Sequence, residues 1–214
     1  MKKNSDCQVL DIKLRQWYLN NGDEEAFRQL VRRADHRFTD CYLPWVYASS
    51  CEYRWIKGMV DCMYFGDDLH YAVEVDGKVV GCANLSRCGG DYSHTAALRL
   101  VLLPEACGQG IGTRVVSQII LNVRKIFFTK DAVTDHSIER IEAYLFGENK
   151  SAERVLEKND FVYEGTLRNA VSKNGRVYDQ KIYGYIFRDH CLPDAESMPK
   201  RKEERIKLIQ EYLN

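Results

Sequence analysis

Apolar positions recur along this chain with two periods, and the switches between them lay out its elements. Ile12 and Leu14 alternate within Val9 to Tyr18 and predict a first strand, and Asn20-Asn-Gly-Asp follows as a turn and cap. Glu24 to Ala34 places Phe27, Leu30 and Val31 on one helical face. Ser49 or Ser50 can cap a second helix that carries Tyr53, Ile56, Met59, Val60 and Met63. Asp76-Gly77 separates the apolar runs Tyr71–Val75 and Val79–Leu85, a strong hairpin signal. Thr95 to Leu103 reads as a strand that feeds a glycine turn, and Ile111, Val115, Val116, Ile119, Ile120, Val123 and Phe127 then recur at helical spacing. A connection over Thr129 to His136 leads to a strand at Glu139–Leu145 and a helix at Asn149–Asn159. Phe161–Asn169 and Tyr178–Phe187 form a last hairpin closed by Lys173-Asn174-Gly175. The order β-α-α-β-β-β-α-β-α-β-β predicts an α/β (α+β) chain with a strand–helix–strand crossover at its centre.

Pro193 and Pro199 end the periodic region, so residues 1–190 are expected to form one domain and 191–214 a tail. The tail carries a terminal helix over Glu203–Leu213, with Ile206, Ile209 and Leu213 aligned. A length of 214 residues is enough for a substantial core.

The glycine turn is the first element with chemistry in it. Gly108, Gly110 and Gly112 let the backbone bend sharply and approach a ligand. A helix starting near Ile111 aims unpaired N–H groups and the positive end of its dipole into that turn, which makes an anion site. Two common phosphate loops fail here. A P-loop would need glycine at Thr113 and lysine at Arg114, and a dinucleotide fingerprint would need its third glycine at Thr113.

Charge removes other classes. Lys and Arg total 31 against 31 Asp and Glu, so nothing draws the chain to nucleic acid or to an anionic membrane. No apolar run approaches the roughly 18 residues of a membrane span, and the N-terminal Met1-Lys-Lys-Asn-Ser-Asp lacks an apolar leader segment. The eight cysteines are scattered without a C-x-x-C pair, so no zinc site is expected. A reducing cytoplasm with free thiols is the expectation. Most of the cysteines then serve as small apolar residues.

A second motif gives the glycine turn a meaning. The strand Ile141-Glu-Ala-Tyr-Leu-Phe146 is followed by Gly147-Glu-Asn149-Lys-Ser-Ala152-Glu-Arg-Val-Leu156-Glu-Lys158-Asn-Asp160-Phe161. Together the two motifs resemble the GNAT superfamily of acyl-CoA-dependent N-acyltransferases, in which [R/Q]-x-x-G-x-[G/A] binds the CoA pyrophosphate and N-x-x-[A/S]…L-E-K-x-G-F follows. Glu164-Gly-Thr-Leu-Arg168, Asp179 and Tyr183 make the chain look like the branch of RimJ/RimL-type ribosomal-protein N-terminal acetyltransferases. The resemblance runs from about Tyr71 to Phe187. It implies one mixed, mostly antiparallel sheet of about seven strands around a central β-α-β acyl-CoA crossover. The chain departs from the pattern at Cys107, where arginine or glutamine is usual, and at Asp160, where glycine is usual. Leu156 and Ala152 replace the tyrosine and serine that often act as general acid in such proteins.

The resemblance implies a site as well. Acetyl-CoA would be the co-substrate, with no metal. Val101, Leu102, Leu103, Gly108, Gln109, Gly110, Ile111, Gly112, Thr113 and Asn149 would contact it. The pantetheine arm would enter between two strands that splay apart, Ala97–Leu102 and Glu139–Leu145, with a backbone N–H near Val101 or Leu102 facing the thioester carbonyl. Asn149 also fits an ordinary helix cap. Glu142 and Tyr144 share a strand face, and Tyr144 stands roughly where some relatives carry a catalytic glutamate. A phenol titrating near pH 10 suits the acid role better than the base role. Glu74 is a further candidate base, or else a solvated strand carboxylate. Trp45 and Tyr47 lie where the family borders its acceptor pocket, and core packing would also account for them. The expected activity is acetyl transfer to a primary amine by direct transfer in a ternary complex, with a protein or peptide N-terminus as first acceptor. A small amine such as a polyamine or aminoglycoside is the alternative acceptor. A non-catalytic acyl-CoA sensor is the alternative from another class, motivated by the missing acids at Leu156 and Ala152. A redox-responsive protein built on the cysteines is a third, against which their spacing speaks. The chain would work as a monomer or homodimer.

Overall fold

The computed structural model describes residues 10–18, 22–33, 57, 68–127, 138–173 and 175–189. The expected second helix, the loop with Trp45 and Tyr47, the 129–136 connection and the tail helix lie outside the described residues.

Seven strands form one sheet: β1 (Ile12–Arg15), β2 (Asp68–Val75), β3 (Lys78–Arg87), β4 (Thr95–Leu102), β5 (Arg140–Phe146), β6 (Val162–Lys173) and β7 (Arg176–Ile186). Their spatial order is β1-β2-β3-β4-β5-β7-β6. Neighbours run antiparallel except β4 and β5, which are parallel and joined by helix α2 (Ile111–Phe127). Helix α1 (Asp23–Arg33) precedes β2, and helix α3 (Lys150–Glu157) links β5 to β6. The mixed, mostly antiparallel sheet with its central crossover therefore stands as expected. The boundaries move where local patterning is weak. The second strand begins at Asp68 rather than Tyr71, because the polar Asp68 and His70 lie on a face that the apolar run did not report. The last hairpin strands are longer than expected and run up to the turn at Gly175, with register shifts between Tyr163 and Gly165 and between Leu167 and Val171.

Period-two alternation sends successive side chains to opposite faces. Tyr71, Val73, Ala83, Leu85, Leu98, Ile141 and Ala143 join Ile111, Val115, Val116, Ile119 and Val123 of α2 in the larger core. Ala72, Cys82 and Val101 lie on the opposite face, packed with Trp17 and with Phe27, Leu30 and Val31 of α1. Burial pushes the Cys82 thiol up to about 12, so this cysteine is an inert apolar residue.

One ionic cluster ties α1 to the sheet. Arg15 of β1 donates both terminal nitrogens to Asp23 at 2.8 Å and its Nε to Glu74 of β2 at 2.7 Å, while the Tyr18 N–H also donates to Asp23. The Asp23 side chain is only 4% exposed, and acidic residues fill the first turn of α1, where the helix dipole favours them. Asp23→Ala removes two charge-assisted bonds from Arg15, which keeps Glu74 and the Gln16 carbonyl, so a loss of about 2 kcal/mol of unfolding free energy is expected in urea titration with an unchanged slope. A loss below about 1 kcal/mol would show the cluster to be ornamental.

Candidate active site

The glycine turn forms because it has to reverse direction in two steps. β4 ends at Leu102, a short 3-10 turn spans Pro104–Ala106, and Gly108 and Gly110 then take φ of 76° and 78°. These are left-handed backbones that residues with a Cβ rarely adopt. A Cβ built at either position would meet nothing within 4 Å, so both border open space. The Gly110 carbonyl accepts the first helical bond, from Arg114 N–H at 3.2 Å, which leaves the N–H groups of Ile111, Gly112 and Thr113 at the head of α2. Gly112 sits in packed surroundings instead. A Cβ there would stand 3.4 Å from Val155 and 3.6 Å from Leu100 and Leu102, ordinary contact distances that mark where α2 packs against α3 and β4. The buried Asn159 side chain donates to the carbonyls of Thr113 and Val155 and fixes that approach. Gln109 turns its amide back to the Glu105 carbonyl, within its own loop.

Beside this turn the two parallel strands part. Their register runs from Thr95↔Arg140 to Leu98↔Ala143 and ends there. β4 stays paired with β3 as far as Leu102↔Gly81, and β5 with β7 as far as Phe146↔Gln180. Each strand thus keeps its outer partner while the inner edges separate. Leu103 N–H donates to Val80 of β3 at 2.8 Å. Backbone groups alternate along a strand, so Leu102 N–H points the other way, into the widening gap. By the same alternation Val101 directs its N–H to β3, and its side chain is buried under α1.

Asn149 caps α3, its Oδ1 accepting from Ala152 N–H at 3.1 Å. The helix closes on Asp160, which takes φ of 62° in place of the usual glycine. Phe161 N–H reaches back to Leu156 and Asp160 N–H to Glu157, a Schellman closure that seats the buried Leu156 and Phe161 together. Leu156 is therefore a core residue.

On the α1 face of β5, a chain of contacts runs along the strand. Tyr144 O–H donates to Glu142 Oε2, and Arg140 Nε donates to Glu142 Oε1 at 2.8 Å. The rest of the Arg140 guanidinium holds Glu164 of β6, whose carboxylate lies over Gly184. Partial burial would raise the Glu142 carboxyl, but the bonds from Tyr144 and Arg140 outweigh it and hold it below the usual carboxylate range. Burial, with Glu142 accepting its proton, pushes the Tyr144 phenol up to about 12. Tyr144 thus stays protonated and able to donate, and Glu142 stays charged.

Glu74 is held elsewhere. It pairs with Arg15 of β1, whose Nε donates to its carboxylate at 2.7 Å. The structure brings Glu142 and Tyr144 together and leaves Glu74 in the α1 clamp.

The same face carries polar residues that the apolar pattern did not single out. Asp68 and His70 on β2 lie opposite Ser86 and Asn84 on β3, which lie opposite Ala97 and Arg99 on β4. Asn84 donates to Ser86 at 3.0 Å. Ala97 is registered with Glu142, so these rows continue onto β5 where the gap opens. Their signal was present as period-two polar residues inside strands whose other face is apolar. Among the described residues no group of His, Cys, Asp and Glu is placed to hold a metal ion. No described helix is long and apolar enough to cross a membrane.

Comparison with known proteins identifies the family and the fold. The family model described as the acetyltransferase (GNAT) domain matches residues 11–162. An uncharacterised N-acetyltransferase, YoaA of Bacillus subtilis strain 168, is 27% identical over 85 residues, which span 40% of this chain and only 43% of that protein. A microcin self-immunity acetyltransferase solved with acetyl-CoA and AMP shares the fold with a TM-score of 0.63 and 19% identity, over 82% of this chain and 92% of its own. A RimL ribosomal-protein α-N-acetyltransferase solved with coenzyme A gives 0.64 and 17%, over 82% and 93%. A Salmonella typhimurium acetyl transferase that modifies the N-terminal serine of a 50S ribosomal subunit protein gives 0.63 and 16%, over 84% and 95%.

Proposed function

Because the chain belongs to the GNAT acetyltransferase family, as an acyl-CoA-dependent acetyltransferase, we propose that it moves an acetyl group from acetyl-CoA to a primary amine at a protein or peptide N-terminus. The observation that carries this reading is the end of the β4–β5 register at Leu98↔Ala143, next to the left-handed glycine turn. Open space over Gly108 and Gly110, under the N–H groups that start α2, suits the CoA pyrophosphate. Val101, Leu102 and Leu103 would border the gap from one side, with Leu102 turning its N–H into it, and the pantetheine arm would lie there as a surrogate strand. Leu102 N–H would polarise the thioester carbonyl and hold the oxyanion of the tetrahedral intermediate. Asn149 would contact the arm with what its cap leaves of its amide. The cap uses only Oδ1.

The chemistry then follows from the residues at the gap. The neutral amine attacks the carbonyl carbon, a tetrahedral intermediate forms, and the C–S bond breaks with its electron pair on sulfur. Tyr144, with a phenol near 12, is too weak an acid to surrender its proton outright at neutral pH. It serves the acid role as a hydrogen-bond donor to the departing thiolate, exchanging Glu142 for sulfur. Until that exchange Glu142, itself held by Arg140, keeps the phenol in place. A protein N-terminus is favoured as acceptor by the likeness to RimL-type structures, whose own acceptors are of that class.

Calorimetric titration with acetyl-CoA tests the cofactor half, and micromolar binding is expected. Absence of heat at millimolar ligand would end the proposal. CoA release, assayed with a short peptide bearing a free N-terminal serine and with spermidine, tests the acceptor half. Turnover on spermidine alone would move the acceptor to small amines, and binding without turnover on any amine would favour a sensor.

A further inference from the structure

Amine attack needs a group that removes a proton, and each carboxylate of this face already accepts a hydrogen bond or an ion pair. Both Glu142 oxygens accept bonds, from Arg140 and Tyr144. Glu74 is bound to Arg15. Asp68 Oδ1 accepts from Arg87 N–H at 3.0 Å. His70 differs. The residue is 8% exposed, and its Nδ1 is a buried nitrogen with no hydrogen-bond partner. Leaving such a group unsatisfied is costly, and native structures do so where a water or ligand completes it. The other ring nitrogen, Nε2, stands 3.6 Å from Asp68 Oδ2. That distance is too long for a hydrogen bond, yet it favours the tautomer with hydrogen on Nε2, facing the carboxylate. Nδ1 then carries a lone pair.

The register sets the path. His70 lies opposite Asn84, and Asn84 opposite Arg99. The β4–β5 pairing ends at Leu98↔Ala143, so Arg99 and Tyr144 are the residues just beyond the last pair, where the two strands part. Strand spacing of roughly 5 Å puts β2 about 10 Å from β4, so the relay needs a file of several waters rather than one bridging molecule. The charged and titratable groups around this row among the described residues are Asp68, Arg87, Cys88, His94, Arg99, Glu142 and Tyr144.

Building on the acetyltransferase reading above, we propose that His70 Nδ1 accepts the acceptor amine's proton through water along the Asn84–Arg99 row, with Asp68 as its positioning residue. The N–C bond forms as the amine proton passes to water and from water to Nδ1. The C–S bond breaks, and the thiolate leaves under the Tyr144 O–H and takes a proton from solvent. The imidazolium, stabilised by Asp68, returns its proton to solvent.

The test uses the full chain, acetyl-CoA and the serine peptide, with kcat measured at saturating peptide from pH 5 to 9. In the wild type kcat is expected to rise with pH, as general-base catalysis of amine attack requires. His70→Gln should lower kcat about 100-fold, abolish that rise and leave the KM for acetyl-CoA within about twofold. Asp68→Asn should lower kcat less and keep a pH-dependent rise. Unchanged kcat and an unchanged profile in His70→Gln would overturn the assignment. Nitrogen NMR of the histidine rings gives a second readout that needs no acceptor and survives a poorly folding variant. The wild type should show hydrogen on Nε2 of His70, and hydrogen on Nδ1 would overturn the proposal. Loss of acetyl-CoA binding by the wild type itself would count against the family-level reading instead, so the two failures are distinguishable.

Discussion

Gly110→Trp is expected to lose at least about 100-fold in acetyl-CoA affinity, close to 3 kcal/mol, while the protein remains folded. Two physical effects act at this position and can be separated. The first is strain. Gly110 has φ of 78°, and an L-residue held there costs about 1–2 kcal/mol of stability. The second is occlusion. The space that a Cβ would enter is empty, and an indole would fill the cradle under the first N–H groups of α2. Gly175→Ala is the control. Gly175 also has a left-handed φ, of 72°, with open space around it, but it lies in the β6–β7 turn. Both variants should lower the thermal midpoint by a few degrees. Only Gly110→Trp should lose the calorimetric signal with acetyl-CoA. Equal binding by the two variants would remove the pyrophosphate from this turn.

Tyr144→Phe is the second large effect. It deletes one oxygen from a partly buried ring, so packing is conserved and only the donor goes. A fall in kcat of about 100-fold is expected, with the KM for acetyl-CoA little changed, because the bond to sulfur strengthens only as negative charge develops there. The phenol is pushed up to about 12, so Tyr144 should contribute no alkaline limb to the wild-type rate between pH 7 and 9. Its linkage to stability has a defined sign. The folded state binds this proton more tightly than the unfolded chain, whose phenol titrates near 10. The stabilisation is therefore full below pH 10 and is lost as pH rises from 10 toward 12. Tyr144→Phe should flatten that part of the unfolding curve. A variant that keeps wild-type kcat would reduce Tyr144 to a strut for Glu142.

Local signals carried much of this outcome. Asp76-Gly77 placed the β2–β3 hairpin, and the 3.6-residue recurrence from Ile111 placed α2 at its observed start. Asp160 was readable as a left-handed helix stop because Asx side chains tolerate that backbone. The candidate site was legible only in part. Glu142 and Tyr144 share a face by strand period alone, and they do meet. Glu74 is also a polar residue in an apolar strand, but its fate depended on Arg15, which is 59 positions away. Nothing local to Glu74 reports that partner. His70 and Asp68 are not legible from the apolar pattern, because that pattern reports the core face of β2 and is silent about the other.

What the sequence determined by itself, then, was the order of the elements among the described residues and the glycine turn that opens α2. Those depend on interactions within a few residues: turn geometry, capping and the period at which apolar side chains recur. The tertiary structure alone decided where β4 and β5 separate, which of Val101 and Leu102 offers its N–H to the gap, and which polar residues gather beside it. Those depend on register between strands far apart in the chain, and register is set by the whole sheet closing over its two cores rather than by any one strand.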